Sequence, residues 1–101
     1  MTEPVPLDPY IADVLMRDLT GHDRSPSAFL VYLWLWRMSR GAGRERIGAS
    51  LQTIATQTGL SKSAVQAAVR HLKRRELIAA ERNGPTCAPV YQVREPWRRN
   101  D

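Results

Sequence analysis

Polar and cationic side chains between residues 61 and 75 recur at the three- and four-residue spacing of one helix face. The members of this predicted face are Ser63, Gln66, Ala67, Arg70 and Arg74, with Lys62 and Lys73 on its margin. The Gln66 amide has the paired donor and acceptor that suit adenine, and the Arg70 guanidinium has the fork that suits guanine. Lys62, Lys73 and Arg74 are expected to contact the phosphate backbone. The chemistry predicted here is recognition of a nucleic acid.

Further candidates lie at the start of this helix and beyond its end. Ser61 is the predicted N-cap, and Ser63 lies at the positive end of the helix, where a phosphate is favoured. Arg82 and Asn83 adjoin the turn-rich residues 83–86, from which they could reach the minor groove or a phosphate. The predicted DNA-binding set is therefore Ser61, Lys62, Ser63, Gln66, Ala67, Arg70, Lys73, Arg74, Arg82 and Asn83.

Residues suited to catalysis or metal binding are sparse. The single cysteine, Cys87, rules out an internal disulfide framework and suits a reducing cytoplasm. We expect His22 and Asp23 to form a charged linker and His71 to be an exposed helix residue, without the partners that a metal or catalytic site needs. The sequence therefore predicts no enzyme, no cofactor and no metal.

The elements that must position these side chains have clear start signals. Asp8 before Pro9, and Ser25 before Pro26, place an N-cap residue before proline at the first helical position. Gly21 is expected to end the first helix. The predicted elements are helices over 9–20, 26–41, 51–57 and 62–75, a very short strand over 47–49, and strands over 77–82 and 90–94.

The stretch from Ser50 to Ile78 resembles the helix-turn-helix of winged-helix bacterial regulators, especially the GntR-like and MarR-like groups. Those families need a small residue where two helices cross, a glycine four positions on and a β-branched residue six further. Ala55, Gly59 and Val65 supply all three. The resemblance implies a positive φ at Gly59 and a second helix that enters the major groove.

The chain departs from those families at three points. Glu76 stands where they usually have glycine, and Ala64 stands where they have threonine or serine. A sequence of 101 residues is too short to include the large effector domain of GntR-like regulators. Glu76 replaces the glycine that would favour the turn from the helix into the predicted β-hairpin. Ala64 lacks the hydroxyl that would contact phosphate.

The predicted fold is mostly α with a small β-hairpin wing: a winged helix-turn-helix with a three-helix core and an extra N-terminal helix. The expected domain organisation is a flexible arm over 1–8, the winged-helix DNA-binding domain over 9–94 and a basic C-terminal tail over 95–101. Residues 1–23 contain no signal-peptide pattern, and no apolar run reaches the length of a membrane span, so we expect a cytoplasmic protein.

Charge is distributed unevenly along the chain. Residues 1–23 have a net charge of −4, from five acidic residues and one basic residue. Residues 24–61 have a net charge of +4, from five basic residues and one acidic residue. Residues 62–101 have a net charge of +5, from nine basic and four acidic residues. This basic excess favours double-stranded DNA as the partner and a small transcriptional regulator as the function. The alternatives are a module of phage or plasmid replication initiation and a winged helix that binds protein.

The second helix is apolar nearly all round through the stretch FLVYLWLW. The predicted winged-helix core needs only one side of it, so we expect Tyr32, Trp36 or their neighbours to be shielded by another subunit. A homodimer through the N-terminal helices would present two recognition helices about 34 Å apart to a palindromic site. It would also keep the acidic residues 1–23 away from the phosphates.

Overall fold

The computed structural model describes residues 4–41 and 45–98. It begins with an N-terminal helix over residues 9–22, which contains two π-helical stretches, Ile11–Leu15 and Asp18–His22. Three α-helices and three strands follow: α1 Pro26–Gly41, β1 Arg46–Gly48, α2 Leu51–Thr58, α3 Lys62–Arg74, β2 Ile78–Glu81 and β3 Val90–Val93. The predicted fold class is confirmed, since the chain is mostly helical and winged-helix-like.

The strands form one antiparallel sheet in the order β1-β3-β2. Ile47 of β1 lies opposite Tyr91 of β3, while Ile78 of β2 lies opposite Val93. Tyr91 and Val93 are buried, so alternate residues of β3 face the helices and fix its register. The expected two-strand hairpin is therefore part of a three-stranded sheet, because β1 pairs with its second strand.

The α1 helix lies at the centre of the core and packs against α2, α3 and the sheet. Tyr32 and Trp36 are 0% and 4% exposed, and their cover comes from the chain itself. The Tyr32 hydroxyl donates to the Arg94 carbonyl at 2.9 Å, and Trp36 Nε1 donates to the Pro6 carbonyl at 3.2 Å. The expectation that another subunit shields Tyr32 or Trp36 is therefore wrong.

The N-terminal helix begins as predicted but ends later. The Asp8 carboxylate accepts from the Tyr10 N–H at 2.9 Å and caps the first turn. The helix continues through Gly21 to His22, and the chain reverses at Arg24, whose φ is +53°. Because a π-helix has i to i+5 bonds and a wider turn, side chains four residues apart are brought closer into line. Ile11, Leu15 and Leu19 form such a buried row, whereas Val14 is only half-buried.

Residues from the two ends of the chain meet beside α1. The Tyr10 and Trp97 rings are stacked, with centroids 4.5 Å apart and an angle of 11° between their planes. Trp97 Nε1 also donates to the Asp8 carboxylate at 3.1 Å. The parts of the expected arm and tail over 1–3 and 99–101 lie outside the described residues. Within the described ranges, no helix has the length and apolar character needed to cross a membrane.

Candidate nucleic-acid interface

The helix-turn-helix is held by two side-chain caps and one glycine. Ser50 Oγ accepts from the Thr53 N–H at 3.0 Å at the start of α2, and Ser61 Oγ accepts from the Ala64 N–H at 3.1 Å at the start of α3. Gly59 ends α2 with φ +80°, as the resemblance implied, and its N–H donates to the Ala55 carbonyl. These local bonds fix the angle at which α3 leaves the turn.

The α3 helix has one buried face and one polar face. Val65, Ala68 and Leu72 are 0% exposed against the core. The opposite face is exposed and is called here the polar face of α3. It consists of Ser63, Gln66, Ala67, Arg70 and Arg74, flanked by the exposed Lys62 and Lys73. The structure thus places every candidate side chain of α3 in solvent.

A groove runs between α3 and the wing, which comprises β2, β3 and the connecting residues 82–89. Gln66, Arg70 and Lys73 line it from α3, and Glu81 and Arg82 line it from the wing. The groove therefore brings the amide of the predicted adenine contact, the guanidinium of the predicted guanine contact and two further cations to one concave surface.

Lys62, Asn83 and Ser61 lie around this groove, and Arg82 extends beyond it. Lys62 and Arg82 line a second groove, which separates the start of α2 from the wing residues 85–89. Arg82 belongs to both grooves and joins them. Asn83 is exposed beside Arg82 in the wing, and Ser61 is exposed at the cap of α3.

The turn from α3 into the wing uses a residue other than glycine in the left-handed conformation. Glu76 has φ +58°, and its N–H donates to the Lys73 carbonyl at 3.0 Å. The next residue, Leu77, donates to the Leu72 carbonyl at 3.0 Å. This pair of bonds is a Schellman motif, which favours glycine at the position of Glu76. The departure from the family pattern therefore leaves the turn intact.

The N-terminal helix contacts α3 on the flank away from the wing. Arg75 donates to Asp18 at 2.8 Å and also to Asp23, and His71 Nε2 lies 2.7 Å from Asp23. The Asp23 side chain is 7% exposed. Two expectations are wrong here: Asp23 is no solvated linker residue, and His71 is a partly buried, partnered residue. Asp18 and Asp23, from the acidic residues 1–23, thus pair directly with α3.

The charge on Asp23 is stabilised by its partners. Burial raises the pKa of this carboxyl, but hydrogen bonds with His22 and His71 and the Arg75 guanidinium outweigh it and lower the pKa to about 2. The exposed His22 has a raised pKa, because it bonds to the same carboxylate. Atoms of Asp18, His22 and Asp23 lie within 4.8 Å of one another, and the Arg75 guanidinium supplies the cation that compensates their charge.

Sequence reasoning missed this cluster because its members are far apart in the chain. Asp23 is 48 residues from His71 and 52 from Arg75. The local signal was limited to the four-residue spacing between Asp18 and His22 and between His71 and Arg75, which places each pair on one helix face. Nothing in that spacing indicates that the two pairs meet.

The fold and this surface define a winged-helix-like, helix-turn-helix protein. The chain belongs to the Helix-turn-helix domain family, whose model matches residues 25–78, from Ser25 before α1 to Ile78 at the start of β2. This membership implies DNA binding. The match has no feature particular to the GntR-like or MarR-like groups, so that closer resemblance stays a prediction. No curated protein and no solved structure matches the chain.

Proposed function

We propose that the protein is a small, non-enzymatic transcriptional regulator of the cytoplasm that binds double-stranded DNA sequence-specifically. Its α3 helix enters the major groove. One observation supports this assignment above the others: Gln66 and Arg70 lie side by side in the groove between α3 and the wing, with Lys73 and Arg82 around them. Base-reading and phosphate-binding side chains are thus combined on one surface.

The proposed roles follow from the chemistry of each group. Gln66 reads adenine and Arg70 reads guanine, because both offer paired hydrogen bonds to one base edge. Ser63, at the positive end of the helix, and Lys62 and Lys73, on the margin of the polar face, contact phosphates. Beyond the helix, the exposed wing residues Arg82 and Asn83 contact the minor groove or the backbone. Ser61 acts through its cap, Ala67 lets the helix approach the bases closely, and Arg74 contacts the backbone.

The charges around the groove are consistent with this proposal. Glu81 is the acidic side chain at the groove, and it forms an ion pair with Arg46 at 2.6 Å. Both side chains are more than half exposed, so the pair is weak, but it places a cation beside the acid. On the other flank, Arg75 is held by two aspartates. The positive potential is therefore concentrated on Lys62, Arg70, Lys73, Arg74 and Arg82.

Two alanine variants test the division between base and phosphate contacts. Arg70→Ala should cost about 1–3 kcal/mol of binding free energy on the preferred duplex and relax the preference at one base pair. Lys73→Ala should weaken all duplexes alike and reduce the slope of log affinity against log salt by about one unit. Binding is measured by fluorescence anisotropy on a panel of single-base variants. Identical profiles for the two variants would contradict the assigned roles.

We propose further that the protein binds DNA as a homodimer. Tyr32 and Trp36 are buried by the chain itself, but exposed apolar residues lie on the other side of α1. Leu30 and Met38 are 42% and 40% exposed, with the half-buried Trp34 midway between them. A twofold axis at Trp34 would bring Leu30 of one copy against Met38 of the other, so the stripe is self-complementary.

Sedimentation equilibrium at micromolar concentration tests the dimer. The proposal predicts a mass near twice 11.4 kDa, which Trp34→Glu should reduce to that of the monomer. Ala12→Glu, on an exposed position of the N-terminal helix, is the control and should leave the dimer intact. A wild-type monomer that binds a half-site as tightly as a palindrome would contradict the proposal.

A further inference from the structure

A chain of hydrogen bonds connects the N-terminal helix to the polar face of α3. His71 Nε2 lies 2.7 Å from the Asp23 carboxylate, and His71 Nδ1 lies 3.0 Å from Arg74 Nη2. Asp23 is anchored from the other side by Arg75, which also bonds to Asp18. His71 therefore stands between a nearly buried carboxylate and an exposed guanidinium that belongs to the candidate interface.

The donors and acceptors in this chain fix the protonation of His71. The Asp23 carboxylate, whose pKa is about 2, is ionised near neutral pH and can only accept, so His71 Nε2 carries a hydrogen. The Arg74 guanidinium can only donate, so His71 Nδ1 accepts. The imidazole is consequently neutral in this arrangement, and only the tautomer with hydrogen on Nε2 satisfies both partners.

We propose that Asp23, His71 and Arg74 form a proton-controlled relay that sets where the Arg74 guanidinium lies and thereby how strongly the protein binds duplex DNA. When His71 gains a proton, Nδ1 becomes a donor and can no longer accept from Arg74. The new imidazolium and the guanidinium repel each other, while the bond to Asp23 becomes an ion pair. Arg74 leaves His71, and Asp23 keeps the ring in place.

The released Arg74 adds to the DNA-binding surface. At 100° per residue, Arg74 lies on α3 between Arg70 and His71, so rotation away from His71 moves its guanidinium toward the polar face. A phosphate there gains one charge-assisted contact. By linkage, DNA that prefers the protonated state also favours proton uptake by His71. This inference rests on the proposed function, since it concerns how tightly that same surface binds DNA.

The other charged groups near the relay have partners of their own. Asp18 pairs with Arg75, and His22 bonds to Asp23 at 2.9 Å from the solvent side. Among the elements packed on α3, α2 has no charged side chain. The charged residues of α1 are Arg37, which lines a groove with Gln57, and Arg40, which pairs with Glu95. The charged residue of β2 is Glu81, which pairs with Arg46. His22 is thus the other histidine that bonds to Asp23.

Binding of one duplex at several pH values tests the relay. Between about pH 8 and about pH 6, where histidines titrate, wild-type affinity should rise at least about fivefold. The slope of log affinity against log salt should steepen by about 0.9, as for one added phosphate contact. His71→Gln should remove this rise, because glutamine can donate to Asp23 and accept from Arg74 but gains no proton. His22→Gln is the matched control and should keep the rise.

A second variant and a spectroscopic readout separate the relay from a purely structural role. Arg74→Gln should bind more weakly than the wild type near pH 6 and lose the pH dependence, whereas Arg17→Gln, which removes an exposed arginine elsewhere, should keep it. In the free protein near pH 8, ¹⁵N resonances of the His71 ring should show hydrogen on Nε2 and none on Nδ1. The opposite tautomer would overturn the relay, as would a full pH dependence in His71→Gln. Failure to bind any duplex at any pH would contradict the proposed function instead, and the ring resonances would still decide the tautomer.

Discussion

Gly59 determines the turn between α2 and α3 through its backbone alone. Its φ is +80°, and a Cβ added there would have no neighbour within 4 Å. Gly59→Ala should therefore cost about 1–2 kcal/mol of unfolding free energy, all of it from left-handed backbone strain. Chemical denaturation measures the loss. Gly21→Ala is the control: its Cβ also meets nothing within 4 Å and its φ is not positive, so stability should hold or rise. Equal effects of the two variants would contradict this explanation.

Glu76, after the end of α3, adopts the left-handed conformation although it is not glycine. Its φ of +58° favours glycine, and its side chain is exposed, so little packing is lost on truncation. Glu76→Gly should raise the unfolding free energy by about 0.5–1 kcal/mol. Glu76→Ala is the matched control, because it removes the same side chain but keeps the Cβ strain. A thermal melt in which the alanine variant gains as much stability as the glycine variant would assign the effect to charge instead.

Local residue chemistry was well predicted from the sequence, whereas long-range pairing was not. Ser50, Ser61 and Gly59 act within three or four residues of themselves, so their spacing alone indicated caps and a left-handed turn. The ion pairs of Asp23 depend on the packing of the N-terminal helix against α3, which no local pattern encodes. The side chains of the polar face of α3 were predicted because a regular helix fixes which residues share a face.

At the scale of elements, regular helices were predicted to within one or two residues. The N-terminal helix was the exception, since hydrophobic spacing cannot distinguish α from π hydrogen bonding over a few turns. Ile11, Leu15 and Leu19 suit either geometry. The short strand β1 was predicted one residue late, and its role in the sheet depends on Tyr91, more than 40 residues away.

The N-terminal helix and α3 should be coupled by the charge on Asp23. The folded-state pKa of Asp23 is about 2, below its ordinary value of 3.8, so its stabilising effect is complete above about pH 4 and is lost as the pH falls toward 2. Asp23→Asn should lower the unfolding free energy by about 2 kcal/mol at neutral pH and by progressively less below pH 4.

Urea denaturation over a pH series checks this dependence. Asp13→Asn changes an exposed carboxylate on the same helix and should have little effect at any pH. A stability difference for Asp23→Asn that stays constant down to pH 2.5 would show that the side chain acts by packing rather than by charge.

At the scale of the whole molecule, the two chain ends complete the core. Trp97 stacks on Tyr10 and lies 6.4 Å from the Tyr32 ring, so the residues expected to form an interface are covered from within. The sequence could not indicate this, because the two segments have no periodic pattern and lie at opposite ends of the chain. The same packing leaves the polar face of α3 and the wing open on one side of the protein.

We assign sequence-specific binding of duplex DNA to that open surface, and a specificity ratio tests it. A preferred site is first selected from random duplexes. Its affinity is then compared with that of a scrambled duplex of equal length and composition at about 0.15 M salt. If the protein contacts bases as well as phosphates, the ratio should be about 10³ or more. A ratio near one would contradict it, since the basic surface would then bind DNA through charge alone.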